Sequence, residues 1–239
     1  MASDDVGKEK APPAETATGE RRWPMALAVL TAAVLQIIQP KREAVRGAWI
    51  FPALEILLLL ILMVGDPGRI DRRSPTLRRM TLGLIVLMTV GNTLAAIALL
   101  TAILASMKGV SAGLLLGRGA TIWMTNVIVF SLWYWELDRG GPAERAARSG
   151  IAPSFVFAED TSPEFVPANW IPTYPDYLHL AFTTATAFSP TDTLPVKHWA
   201  KMMMMVQTMI SLVTGILVVA RAVNILPSSQ LPSSQLPSP

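Results

Sequence analysis

Four oxygen-bearing side chains fall within five residues near the end of the chain: Ser189, Thr191, Asp192 and Thr193, with Pro190 among them. Hydroxyl oxygens and a carboxylate suit hydrated cations, and a ring of carboxylates concentrates cations at a channel mouth. Thr184, Thr186, Ala187 and Phe188 lead into this group. Apolar sequence brackets it: the run before it, from Tyr177, is too short to cross a bilayer, and Ala200 to Ile225 is long enough. Short helix, polar loop, spanning helix is the layout of one subunit's share of a channel pore. Non-helical backbone persists at membrane depth only where protein buries it or water reaches it. The plainer reading is a tight connection in which Ser189 or Asp192 caps a turn.

The twelve residues Thr184-Ala185-Thr186-Ala187-Phe188-Ser189-Pro190-Thr191-Asp192-Thr193-Leu194-Pro195 align without a gap to the pattern T-x-T-T-V-G-Y-G-D-x-x-P. Thr184, Thr186, Asp192 and Pro195 fall on like residues. In this the chain resembles the potassium-channel pore domain, over roughly its C-terminal half. It is also similar to uncharacterised bacterial multi-pass membrane proteins whose last loop carries Ser-x-x-Asp-Thr. The resemblance implies a re-entrant pore helix, a homo-oligomer of four copies and monovalent cations as the permeant species. The departures limit what carries over. In a potassium filter, backbone carbonyls replace the hydration shell, and glycines permit the backbone this requires. Here Ser189 and Thr191 occupy both glycine positions and Pro190 the tyrosine position. Thr resists positive φ, Pro fixes φ near −65°, and Pro190 drives Ser189 toward an extended conformation. A potassium-type carbonyl ladder is therefore excluded from the expectation, which is a wider, hydrated mouth.

Composition sets the class. Of 239 residues, 51% are hydrophobic and only 15% charged, with a mean hydropathy of +0.43. That profile belongs to a multi-pass membrane protein, with lipid as its surroundings and the plasma (inner) membrane as its place. The net charge of +3 is spread over several loops, which leaves no nucleic-acid footprint. Without cysteine there is no disulfide, iron–sulfur cluster or thiolate nucleophile. His179 and His198 lack metal-ligand spacing. No Ser/His/Asp grouping, Gly-rich phosphate loop or H-E-x-x-H occurs, so neither an enzyme nor a cofactor is expected.

The fold expected is all-α, with about five transmembrane helices and a re-entrant pore-helix and loop before the last. Residues 1–22 read as a disordered tail, 23–110 as N-terminal transmembrane helices, and 111–226 as the pore module. Within that module lie a loop over 138–176 and a re-entrant segment over 177–195. Residues 227–239, a repeat of Leu-Pro-Ser-Ser-Gln, read as a second tail. The spans are Trp23 to Ile38, Ala48 to Val64, Thr81 to Ser106, Ala120 to Leu137 and Ala200 to Ile225. Residues 139–150 read as a solvated loop or short surface helix. Topology is in conflict. A loop mouth facing outward places Arg69, Arg72, Arg73, Arg78 and Arg79 outside, against the positive-inside rule. A full crossing by 174–190 would resolve this with six spans, but its apolar run is short.

Intramembrane polar residues supply the other leads. A charge there costs about 2.5–3.5 kcal/mol on insertion scales. Glu55 is midway along the second run, as an ion or proton site paired with Arg118 or Asn92, or as a protonated carboxyl joining helices. Asn92 and Asn126 read as interhelical glue, and Gln36 needs no special role. Gln207, Ser211 and Thr214 share one face of the last helix, with Gly215 available for a bend or close contact. They line either a wet inner cavity or a helix–helix contact. Three functions follow: a weakly selective ion or small-solute pore, a non-conducting scaffold with a pore-domain fold, and a transporter centred on Glu55.

Overall fold

The computed structural model describes residues 19–38, 49–70, 73–105, 111–167, 169–186 and 192–225. Among these, five helices carry most of the apolar sequence: α1 (Trp23–Ile38), α2 (Ile50–Gly65), α3 (Pro75–Leu104), α4 (Ala112–Leu137) and, after two short helices α5 (Pro142–Ala146) and α6 (Ala158–Thr161) and the 13-residue α7 (Tyr174–Thr186), the last helix α8 (His198–Ile225). Pro75–Leu104, Ala112–Gly140 and His198–Asn224 are long and apolar enough to cross a membrane. α1 and α2 are apolar but have 16 residues each, about 24 Å at ~1.5 Å per residue, against a hydrocarbon core of about 30 Å. The fold is mostly helical, with three membrane-crossing lengths and two shorter apolar helices beside them.

Helix starts follow local chemistry. The Ser74 hydroxyl accepts from the Leu77 amide and Pro75 takes the first position of α3; Ser111 does the same for Leu114 in α4. Each cap satisfies an amide that the first turn leaves unpaired. The outer surface is apolar: Leu27, Leu30 and Val34 of α1, Val86, Val90 and Leu94 of α3, and Met205, Met209, Leu212 and Ile216 of α8 are exposed. An apolar exterior of this extent is what a lipid solvent selects.

α4 is the central helix, packing against α1, α3, α7 and α8. Its approach to α8 is closest at Gly119, where a Cβ would stand 2.7 and 2.8 Å from the two methyls of Val218. Small residues of this kind let membrane helices meet without a hydrophobic driving force.

Two short ribbons tie one end of the bundle. β1 (Glu20–Arg21) pairs antiparallel with β2 (Arg69–Ile70), and β3 (Phe155–Val156) with β4 (Leu194–Pro195). Ion pairs run across the same end: Arg22 to Asp66 at 2.9 Å, Arg73 to Glu144 at 3.3 Å and Arg78 to Glu136 at 3.2 Å. This end is called the cap end below.

Several boundaries differ from expectation. Glu20, Arg21 and Arg22, assigned to the tail, belong to the folded part, because Asp66 holds a guanidinium that is 3% exposed. α7 begins at Tyr174, inside the expected loop, where Asp176 accepts from the amide and hydroxyl of Thr173. Residues 139–150 are not simply solvated: Pro142, Arg145 and Ala146 are buried.

The Gly119 contact generates a measurable expectation. Gly119→Ala should lower stability by about 1–3 kcal/mol through overpacking, read as a fall in the thermal midpoint of detergent-solubilised protein. Val218→Ala in the same chain should restore most of the loss. An undisturbed Gly119→Ala protein would contradict the close approach.

Candidate functional site

The segment joining α4 to α8 is where the candidate residues sit, and a buried carboxylate organises its start. Asp138 follows the last residue of α4, and its side chain is inaccessible to solvent. One oxygen accepts from the amides of Ser154 (2.6 Å) and Phe155 (3.4 Å); the other accepts from the Tyr177 hydroxyl at 2.7 Å and lies 3.4 Å from Arg139 Nε. One residue thus binds the end of α4, strand β3 and the first turn of α7. A carboxylate removed from water needs this many donors to offset its desolvation.

The chain reaches this arrangement through three consecutive residues of positive φ, Arg139 (49°), Gly140 (80°) and Gly141 (98°). A Cβ at Gly141 would meet the Glu136 carbonyl oxygen at 3.0 Å, and one at Gly140 the Ile151 side chain at 2.7 Å. The turn folds α5 back so that Arg145 Nη1 donates to the carbonyls of Trp135 (2.6 Å) and Asp138 (3.0 Å). Positive charge there complements the C-terminal end of the α4 dipole. The same guanidinium lies over the Tyr177 ring, 4.9 Å from its centre.

Glu20 completes the layer. It accepts from Trp135 Nε1 at 2.8 Å and from the Tyr174 amide, with Arg145 Nη2 3.7 Å away. Burial pushes its carboxyl above the ordinary 4.5; the Trp135 hydrogen bond, the Arg145 charge and the Tyr174 amide pull it back only in part.

Deeper in the bundle, α4, α7 and α8 share a polar seam. The Tyr174 and Ser131 hydroxyls are 2.8 Å apart. Tyr134 donates to Gln207 Oε1 at 2.6 Å, and Gln207 Nε2 donates to the Ala181 carbonyl at 2.7 Å. The Thr208 hydroxyl donates to the Thr184 carbonyl at 3.3 Å, and Asn126 donates to Ser211 at 3.1 Å. These bonds answer one expectation directly. Gln207, Ser211 and Thr214 are buried against other parts of the same chain, so that face of α8 is a helix–helix contact and not the wall of an open cavity. Gly215 alone of that set borders open space.

The remaining candidates are dispersed. Thr184 is buried with its hydroxyl on the Leu180 carbonyl, and Thr186 donates to the Thr183 carbonyl. Ala187, Phe188, Ser189, Pro190 and Thr191 lie outside the described residues. Asp192 is exposed and Thr193 buried. Glu55 sits elsewhere, at the contact of α1 and α2. It is fully buried and takes both its hydrogen bonds from Gln36, at 3.0 and 3.2 Å. Its hydrogen-bond partner among the described residues is thus Gln36, a residue expected to need no special role. Gln36 lies 19 positions before Glu55, and spacing alone carries no signal for a contact between two helices.

Glu20, Asp138 and Arg145 escaped the sequence reading altogether. Asp138-Arg139-Gly140-Gly141-Pro142 was the available signal, since adjacent glycines mark backbone that needs positive φ. No protein-family model matches the chain, and no curated protein or solved structure is significantly similar to it.

Glu20 yields a pH-dependent expectation. Its protonated form is favoured by the fold, so its contribution is fully present below 4.5 and is lost as pH rises through the folded-state value. Glu20→Gln keeps the shape without the charge. Its thermal midpoint should rise relative to that of the native chain as pH increases from 4.5 to neutrality. A difference that stays constant over that range would remove Glu20 as a titrating group.

Proposed function

We propose that the chain is a multi-pass protein of the plasma (inner) membrane that assembles into an oligomeric, weakly selective pore for ions or small solutes. The observation that carries this reading is the pairing of β3 with β4. Strand β3 follows α4 and β4 precedes α8, so the excursion between them leaves and rejoins the cap end. α7 starts at that end, on Glu20 and Ser131. Its last turn is bonded to Thr208, roughly 15 Å along α8 at ~1.5 Å per residue. That is about half the thickness of the hydrocarbon core.

A 13-residue helix whose end lies midway along α8, with the described chain resuming at the cap end in β4, supports a re-entrant reading. In that reading, any non-helical backbone at membrane depth requires cover by protein or contact with water. One chain supplies a single such segment, so a pore on an axis needs several copies, and cyclic symmetry is the simple closed solution. The resemblance to potassium-channel pore domains favours four. Asp192, exposed at the cap-end side of the return, stands as the mouth carboxylate. With five spans, counting α1 and α2, the amino-terminal and carboxy-terminal ends of the helical region lie on opposite sides.

A second reading, a non-conducting scaffold of the same fold, is favoured by one specific observation. The polar face of α8 is consumed by bonds within the chain, which leaves exposed side chains such as Met205, Met209, Leu212 and Ile216 for any central surface.

Two measurements test these readings. Purified protein in planar bilayers should pass current with little preference for potassium over sodium, and Asp192→Asn should lower cation conductance severalfold while anion conductance holds. Silence from protein shown to be oligomeric would leave the scaffold. For topology, single cysteines at Arg73, Ser149 and Leu194 should behave alike toward an impermeant thiol reagent on intact cells. All three label if the mouth faces outward. Labelling of Leu194 with the opposite result at the other two would sink the re-entrant segment.

A further inference from the structure

The cap contains a cavity of about 280 Å³ between α5, the 148–151 turn and residues 170–171, and its lining is strongly one-sided in charge. Arg139, Arg145 and Arg148 line it with one carboxylate, Glu144, which is engaged by Arg73. Outside the lining, Arg139 pairs with Asp160 at 2.5 Å and Asp138 at 3.4 Å, and Arg145 lies 3.7 Å from Glu20. Trp170 and Ile171 supply a flat apolar wall.

The donors of this wall outnumber their acceptors. Arg145 has a side chain only 1% exposed, yet its Nε and Nη2 make no hydrogen bond among the described residues, and neither does Arg139 Nε. Arg148 donates to the Asn169 carbonyl at 3.0 Å and enters no ion pair among the described residues. Buried guanidinium N–H groups are costly to leave unpaired. A guanidinium fork matches the geometry of a phosphate or carboxylate oxygen pair, and Arg145 and Arg148 keep donors for one.

We infer that this cavity is a binding site for a phosphate group, held by Arg145 and Arg148, with Trp170 against the organic part of a phosphate ester. The phosphate has two possible sources, a phospholipid headgroup at the membrane surface or a free phosphate in solution. This inference is independent of conduction. Because Arg145 also covers Tyr177 and caps α4, a ligand here engages the residue that seats the start of α7.

The test uses the full chain. In a neutral detergent, the thermal midpoint is followed against inorganic phosphate, with chloride at matched ionic strength as reference. In a second arm, nanodiscs of phosphatidylglycerol are compared with nanodiscs of phosphatidylcholine. A ligand that binds only the folded state raises the midpoint saturably. Arg148→Gln, at an exposed position, should weaken the apparent affinity at least tenfold. Ser149→Glu, also exposed, should weaken it by repulsion and keeps the test valid should Arg148→Gln fold poorly. Saturation with inorganic phosphate identifies a free ligand. A response confined to the lipid arm and lost in the variants identifies a headgroup. No saturable response in either arm, or equal responses in the native chain and both variants, overturns the site.

Discussion

The Asp138 carboxylate is the point on which the architecture between α4 and α8 depends. Three hydrogen-bond donors from two separate stretches of chain converge on it, with the Arg139 guanidinium 3.4 Å away. A charge this deeply buried is tolerable only while its partners stay in place, since the loss of one partner leaves an uncompensated ion. The carboxylate therefore acts as a registration device. It specifies which residue of α7 meets the end of α4 and where β3 runs, and β3 in turn sets where β4 returns. A hydrophobic contact at the same place would be non-directional and would not specify register.

The cap end as a whole is a layer of paired charges closing an apolar bundle. Arg22 with Asp66, Arg78 with Glu136, and Arg145 with Glu20 each join chain segments far apart in sequence. Polar groups in the helical region are handled in the same way, by hydrogen bonds between helices, as in Tyr134 with Gln207 and Asn126 with Ser211. Glu55 with Gln36 follows the rule for α1 and α2. Apolar residues fill the core and also cover the outer faces of α1, α3 and α8, because lipid makes no demand for a polar surface.

This division bears on function. The polar residues that look most like a pore lining on α8 act as internal fasteners. Of the residues proposed for a pore mouth, Asp192 is the exposed one among the described residues.

The sequence by itself determined the membrane class and the helices. The run Trp23–Ile38 ends as its apolar pattern does, and α2 and α8 begin within two residues of expectation, while α3 and α4 begin six and eight residues before the expected Thr81 and Ala120, at the Ser74 and Ser111 caps. Asn126 as interhelical glue was legible for the same reason: an amide in hydrocarbon must find a partner. Only the tertiary structure decided what the partner is. Gln36 for Glu55, Tyr134 for Gln207, and Glu20 for Arg145 are contacts across 19, 73 and 125 positions of chain, where periodicity has no reach. Hydropathy is a property of residues one at a time, and it specifies which segments enter lipid. Register and cap assembly depend on pairwise desolvation of groups that meet only after the helices have packed.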